Sequence, residues 1–247
     1  MTTLVNPEKA VPKRQTSRSV CMISHSTQND RGVCRHELTF VSPAAWRSIL
    51  ETRKDLVDEP LVAGWVDQGW PLVVRRFAPG ETEGLPLGLP LPPCFGKRRL
   101  SFLVQPEDVI SFAQPPLLSV ANEAAPSSWT HTLNQVTRLA AEHGVEARVF
   151  GSLGWQTLTG LDYLTNKSDL DVLLTFPRGT DVAALTNGLA EIEAAAPMRV
   201  DGELVREDGA AVNWRELHSG AREVLVKTTR GVTLLSIGNF LNGGGIS

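Results

Sequence analysis

Val149-Phe150-Gly151-Ser152, followed after Leu153 through Ser168 by Asp169-Leu170-Asp171-Val172-Leu173-Leu174, decides how this chain is read. A Gly-Ser turn leaves a short apolar strand, and two aspartates then stand at i and i+2 on a second apolar strand. The period-2 alternation of a strand puts both carboxylates on one face. Neighbouring carboxylates on an apolar strand repel each other and resist burial. A divalent cation removes that conflict, and hard ions such as Mg2+, or Mn2+, favour carboxylate oxygens. Asp169 and Asp171 are therefore the first candidate metal ligands and the first candidate catalytic residues.

A third carboxylate is expected from a neighbouring strand. Arg199-Val200-Asp201-Gly202-Glu203-Leu204 offers Asp201 and Glu203 on the face opposite Val200 and Leu204. Asp201 is preferred for its shorter arm, either completing the metal site or taking the proton of an incoming hydroxyl, with Glu203 as the substitute. At the turn, Gly151 lets a phosphate approach the backbone, and Ser152 adds a hydroxyl to the N–H groups opening the next helix. Together these groups suit phosphoryl or nucleotidyl transfer from a triphosphate-like donor.

Around this stretch the pattern alternates helices and strands. Strands are expected at 35–41, 72–74, 99–104, 147–150, 169–176 and 198–205, with a hairpin near 223–235. Helices are expected at 44–53, 58–68, from 127 or 128 to 143, after the Gly-Ser turn, and near 182–192. Residues 78–96, rich in Gly and Pro, read as an irregular loop. The stretch from Pro115-Pro116 to Pro126 reads as a domain hinge. The expected organisation is a disordered extension over 1–33, an N-terminal α/β domain over 34–117 and a catalytic domain over 118–247. The fold class is mixed α/β (α+β), with helices against a mixed sheet in two unequal lobes.

The 247 residues carry 24 Lys and Arg against 27 Asp and Glu, a net charge of -3. Residues 1–36 hold six basic and two acidic residues, so the remainder stands at -7. That balance argues against a nucleic-acid partner, which calls for a broad basic face. No apolar run approaches the ~18–20 residues of a membrane span. The three cysteines, Cys21, Cys34 and Cys94, form no C-x-x-C pair, which fits a reduced, cytoplasmic protein without disulfides or structural zinc. Arg75-Arg76 and Lys97-Arg98-Arg99 bracket the Gly/Pro loop as candidate substrate-binding groups for phosphates or an acidic partner. Lys227 is a further candidate for the triphosphate. The six tryptophans are expected as core anchors, with Trp155 the one placed to stack on an adenine. His36 and His131 have no metal-ligand spacing and read as structural.

The turn and aspartate strand resemble the nucleotidyltransferase fold. The longer form, Gly151-Ser152-Leu153-Gly154-Trp155-Gln156-Thr157-Leu158-Thr159-Gly160-Leu161, then Tyr163-Leu164 and Ser168-Asp169-Leu170-Asp171, resembles one subfamily: the phosphoribosyl-dephospho-CoA transferases, or holo-acyl-carrier-protein synthases, of malonate decarboxylase systems. Arg35-His36-Glu37-Leu38, Pro71-Leu72-Val73-Val74-Arg75-Arg76, Gly88 to Pro93 with Gly96 to Arg99, Val200 to Val205 and Val212-Asn213-Trp214-Arg215-Glu216 also fit, so the resemblance spans about 35–240. It implies a nucleotidyltransferase-like C-terminal domain with Asp169 and Asp171 as the active-site pair. It further implies transfer of the 2'-(5''-phosphoribosyl)-3'-dephospho-CoA group from a triphosphoribosyl-dephospho-CoA donor to a serine of the apo acyl-carrier subunit of malonate decarboxylase, with release of pyrophosphate. The attacking serine would belong to that partner, in keeping with the absence of a nucleophile–base pair in the motifs above. The alternatives are another metal-dependent nucleotidyltransferase acting on a small-molecule or nucleic-acid hydroxyl, and an inactive scaffold of the same fold.

Overall fold

Residues 32–56 and 59–244 are described by the structure, a computed structural model. The expected extension up to residue 31, and Asp58 at the expected start of the second helix, lie outside the described residues. Val33 is held in place, its carbonyl accepting from Thr229 Oγ1 at 2.8 Å.

The N-terminal part forms a five-stranded antiparallel sheet. Its elements are β1 (Leu38–Val41), α1 (Pro43–Thr52), α2 (Pro60–Ala63), β2 (Leu72–Val74), β3 (Leu85–Pro90), β4 (Arg99–Val104) and β5 (Val109–Ala113), in the sheet order β4-β3-β2-β1-β5. Ser42 caps α1 by accepting from Ala45 N, and Pro43 supplies the first turn, as Ser-Pro at a helix start should. The core gathers Trp46, Trp65, Leu72, Leu87, Leu89 and Phe102. Indole N–H groups at this depth need partners: Trp46 donates to Val62 O at 3.0 Å and Trp65 to Pro71 O at 2.9 Å.

Three expectations are corrected here. Residues 85–90 are no loop but the strand β3 between β2 and β4. Its prolines are tolerated because Arg75 N donates to Pro86 O, so Pro86 and the equally phased Pro90 turn their missing donors toward β2. That neighbour is only three residues long and pairs with Leu87 and Gly88 alone, while β4 pairs along the whole strand. Strand β1 starts at Leu38 rather than Arg35, because His36 adopts a left-handed φ of 68° in a turn closed by Glu37 N to Cys34 O. Helix α2 stops at Ala63, where Gly64 caps it and the chain turns toward Gly69 at φ 72°. Strand β5 lacks a sequence expectation; it is an edge strand beside β1.

The C-terminal part comprises α3 (Leu118–Ala121), α4 (Thr130–Glu142), β6 (Glu146–Val149), α5 (Gly151–Thr159), β7 (Leu170–Thr175), α6 (Val182–Ala195), β8 (Val200–Val205), β9 (Ala211–Asn213), α7 (Trp214–His218), β10 (Glu223–Lys227), β11 (Val232–Ser236) and α8 (Ile237–Leu241). The six strands lie in the order β11-β10-β9-β8-β7-β6, with β7 and β8 parallel and the other pairs antiparallel. One sheet face buries Val172, Leu174, Val200, Leu204, Val212 and Val224 in a core shared with α4 and α6. The stretch read as a hinge contains α3, whose Leu118 and Ala121 are fully buried in that core. It is packed, not free. The fold is mixed α/β with two sheets, as expected.

Candidate active site

The opposite face of the second sheet carries the polar groups. In the β7–β8 register Asp171 lies beside Asp201 and Leu173 beside Glu203, so Asp171, Asp201 and Glu203 share this face, with backbones about 4.8 Å apart. Asp169 sits just before β7. The chain leaving β6 runs into α5 at Gly151, whose φ is +60°. A Cβ there would lie 1.8 Å from Asp171 Oδ2, so only glycine leaves room for the carboxylate. Phe150 N donates to Asp171 O at 3.1 Å, and the Ser152 amide beside the turn helps to lower the Asp171 carboxyl.

Burial, with the charges of Asp201 and Asp169, pushes the Asp171 carboxyl up to about 7, against opposing pulls from Arg99 and the Ser152 amide. Asp169 and Asp171 present the oxygen donors that a hard divalent ion takes, since such an ion commonly binds one or two carboxylates and completes its shell with water and substrate phosphates. The three-carboxylate metal site is not assembled. Among the described residues no three His, Cys, Asp or Glu side chains stand together as metal ligands. Asp201 Oδ1 is occupied by Asn213 Nδ2 at 2.9 Å, Arg215 at 3.3 Å and its own neighbour Gly202 N at 3.1 Å. Asn213 and Arg215, which open α7, thus orient Asp201; the Asn-Trp-Arg run after a strand is the signal that points to them. Arg215 also pairs with Glu193, donates to Val200 O and lies 4.6 Å over the Trp214 ring.

Glu203, the substitute third carboxylate, points at cations instead. Its side chain is 7% exposed and accepts from Arg35 Nη1 at 3.1 Å and from Lys227 Nζ at 2.9 Å. Burial alone would raise its carboxyl, but His36, Arg35 and Lys227 overcome this and hold it well below the usual range. Lys227 therefore does reach the polar face. His36, read as structural, stacks its ring 4.4 Å from Phe150, and burial drives its pKa down.

The remaining basic candidates separate. Arg75 is locked on Glu81 through two contacts of 2.7 Å, and Arg98 pairs with Glu59. Arg76 and Lys97 are exposed, Lys97 at φ 53°. Arg99, at the start of β4, is the member whose charge reaches Asp171. The single basic patch is thus replaced by scattered groups, because nearby glutamates claim two of the five. Trp155 is buried with ring centroids 5.8 Å from Trp65 and 6.2 Å from Tyr163; it is a core anchor with no face left for an adenine.

Residues 34–115 match the N-terminal domain of the phosphoribosyl-dephospho-CoA transferase MdcG family, and residues 116–237 match its C-terminal domain. The chain belongs to the phosphoribosyl-dephospho-CoA transferase family. It is 50% identical over 222 residues, 90% of its length and 98% of the relative's, to a phosphoribosyl-dephospho-CoA transferase of Bradyrhizobium diazoefficiens. A protein of the same description from Xanthomonas campestris is 38% identical over 72% of this chain and 84% of its own, and one from Pseudomonas putida 34% identical over 68% and 79%. No solved structure matches the chain. Among the described residues no helix is long and apolar enough to cross a membrane. Cys94 is an exposed free thiol; Cys21 lies outside the described residues.

Proposed function

We propose that this chain transfers the 2'-(5''-phosphoribosyl)-3'-dephospho-CoA group from its triphosphoribosyl donor to a serine of the apo acyl-carrier subunit of malonate decarboxylase, in the cytoplasm and with Mg2+ or Mn2+ as cofactor. The observation that carries this reading is the Asp171 carboxylate seated against the bare backbone of Gly151, with its pKa pushed up beside Asp169 and Asp201. Asp169 and Asp171 would hold the ion, which would neutralise charge on the donor phosphates as the bond to pyrophosphate breaks. The partner's serine oxygen attacks the phosphorus attached to the ribose, a phosphodiester forms, and pyrophosphate departs with the bonding electrons. Asp201, steadied on one oxygen by Asn213 and Arg215, takes the hydroxyl proton on the other. Asp171 is seated against the backbone of Gly151, and Arg99 adds a positive charge from the N-terminal sheet.

The test incubates purified protein with apo carrier subunit, radiolabelled triphosphoribosyl donor and Mg2+. Label should appear on the carrier serine in step with pyrophosphate release. Pyrophosphate release with an unlabelled carrier would move the acceptor to another hydroxyl, and neither product would leave the fold as a scaffold. Asp169→Asn is expected to lower turnover by about three orders of magnitude or more with an unchanged circular-dichroism spectrum.

A further inference from the structure

Glu203 stands two residues beyond Asp201 on β8, so both side chains leave the same sheet face. Its carboxylate collects cations from both parts of the molecule. Arg35 places Nη1 3.1 Å from Oε2 and Nη2 3.3 Å from Oε1, while Lys227 on β10 places Nζ 2.9 Å from Oε1. His36 Nε2 lies 3.4 Å from Oε2 and 3.1 Å from Arg35 Nη2.

One buried carboxylate facing two permanent cations leaves a net positive charge beside the aspartates. Lys227 is not used up by this pairing. Among the described residues Lys227 spends one of its three donors on Glu203, and its side chain remains 28% exposed. A carboxylate with this little exposure is costly unless it is paired, and it holds its partners in fixed positions. His36 sits in a left-handed conformation, a local strain that packing must sustain, and its contact with Phe150 ties this group to the Gly151 turn.

We propose that Glu203 is a positioning residue, not a metal ligand, and that it presents Lys227 and Arg35 as a two-domain subsite for the diphosphate leaving from the donor. This rests on the donor reading above. The two side chains supply the charge-assisted donors that a diphosphate requires, on the face where Asp169 and Asp171 would hold the ion.

The probe is inorganic pyrophosphate, measured by calorimetry and as a product inhibitor of transfer. Lys227→Met and Glu203→Gln are each expected to weaken pyrophosphate binding about tenfold and to raise the donor KM more than they lower kcat. Lys227→Arg should restore both values to within about threefold, which a purely structural lysine would not require. Unchanged pyrophosphate inhibition in folded Lys227→Met and Glu203→Gln, with carrier labelling intact, would overturn the subsite alone. Loss of pyrophosphate binding in those variants, in a protein that labels no carrier, would overturn the acceptor assignment and leave the subsite standing.

Discussion

A methyl group at Gly151 would meet Asp171 Oδ2 at 1.8 Å and would also have to accept a φ of +60°. Gly151→Ala is therefore expected to displace the Asp171 carboxylate, lower transfer by about a hundredfold or more, and cost about 1–3 kcal/mol in a thermal or urea melt. Asp171 itself trades stability for chemistry. Its folded pKa of about 7 stands above the ordinary 3.8. The unfolded chain then gives up this proton near pH 4 and the folded chain only near 7, so the native state is penalised increasingly between these values and fully above 7. Asp171→Asn removes the penalty at equal size. In metal-free buffer at pH 8 it is expected to melt higher than the parent, by about 2 kcal/mol after allowance for partial solvent screening. Below pH 4 the two should melt alike. Added Mg2+ should raise the melting temperature of the parent but not of the variant.

At the scale of elements, the connection from α5 to β7 does more than carry the chain. Gln156 Oε1 accepts from the amides of Tyr163 and Leu164 at 3.1 and 3.0 Å, and its Nε2 donates to Ala124 O. Tyr163 then donates its hydroxyl to Pro90 O at 2.9 Å, on a strand of the other sheet. Tyr163→Phe is expected to cost about 1 kcal/mol in a urea melt, with a small rise in donor KM. Gln156→Leu, which strands two amides, should cost more. The aspartate strand, the Gly-Ser turn, strand β8 and the terminal hairpin were legible from sequence because each depends on local alternation and turn chemistry. Strand β3 was hidden by prolines that are harmless only beside a very short neighbour. The coupling of Glu203 to Arg35 spans 168 residues, and no local pattern announces an ion pair at such separation. Asp201 was legible as a carboxylate on the right face, but not its occupation by Asn213 and Arg215.

At the scale of the molecule, each sheet has its own core and helix α5 contributes to both. Trp155 and Tyr163, from the C-terminal part, are counted in the N-terminal core, while Leu153 on the same helix belongs to the C-terminal core. Residues 33–36 cross in the other direction: Val33 meets Thr229 and Arg35 meets Glu203. A fragment beginning at residue 116 would lose the packing around Trp155 and leave the Glu203 carboxylate short of a partner. It is expected to be poorly soluble, to bind a hydrophobic dye, and to show no cooperative melt, whereas the full chain should unfold in a single transition.

Helix α5 begins at the glycine beneath Asp171 and, one turn later, drives an indole into the opposite lobe. The seat of the aspartate and the anchor between the two sheets are thus four residues apart on one rigid helix, so the carboxylate is positioned by packing that belongs to the other half of the chain.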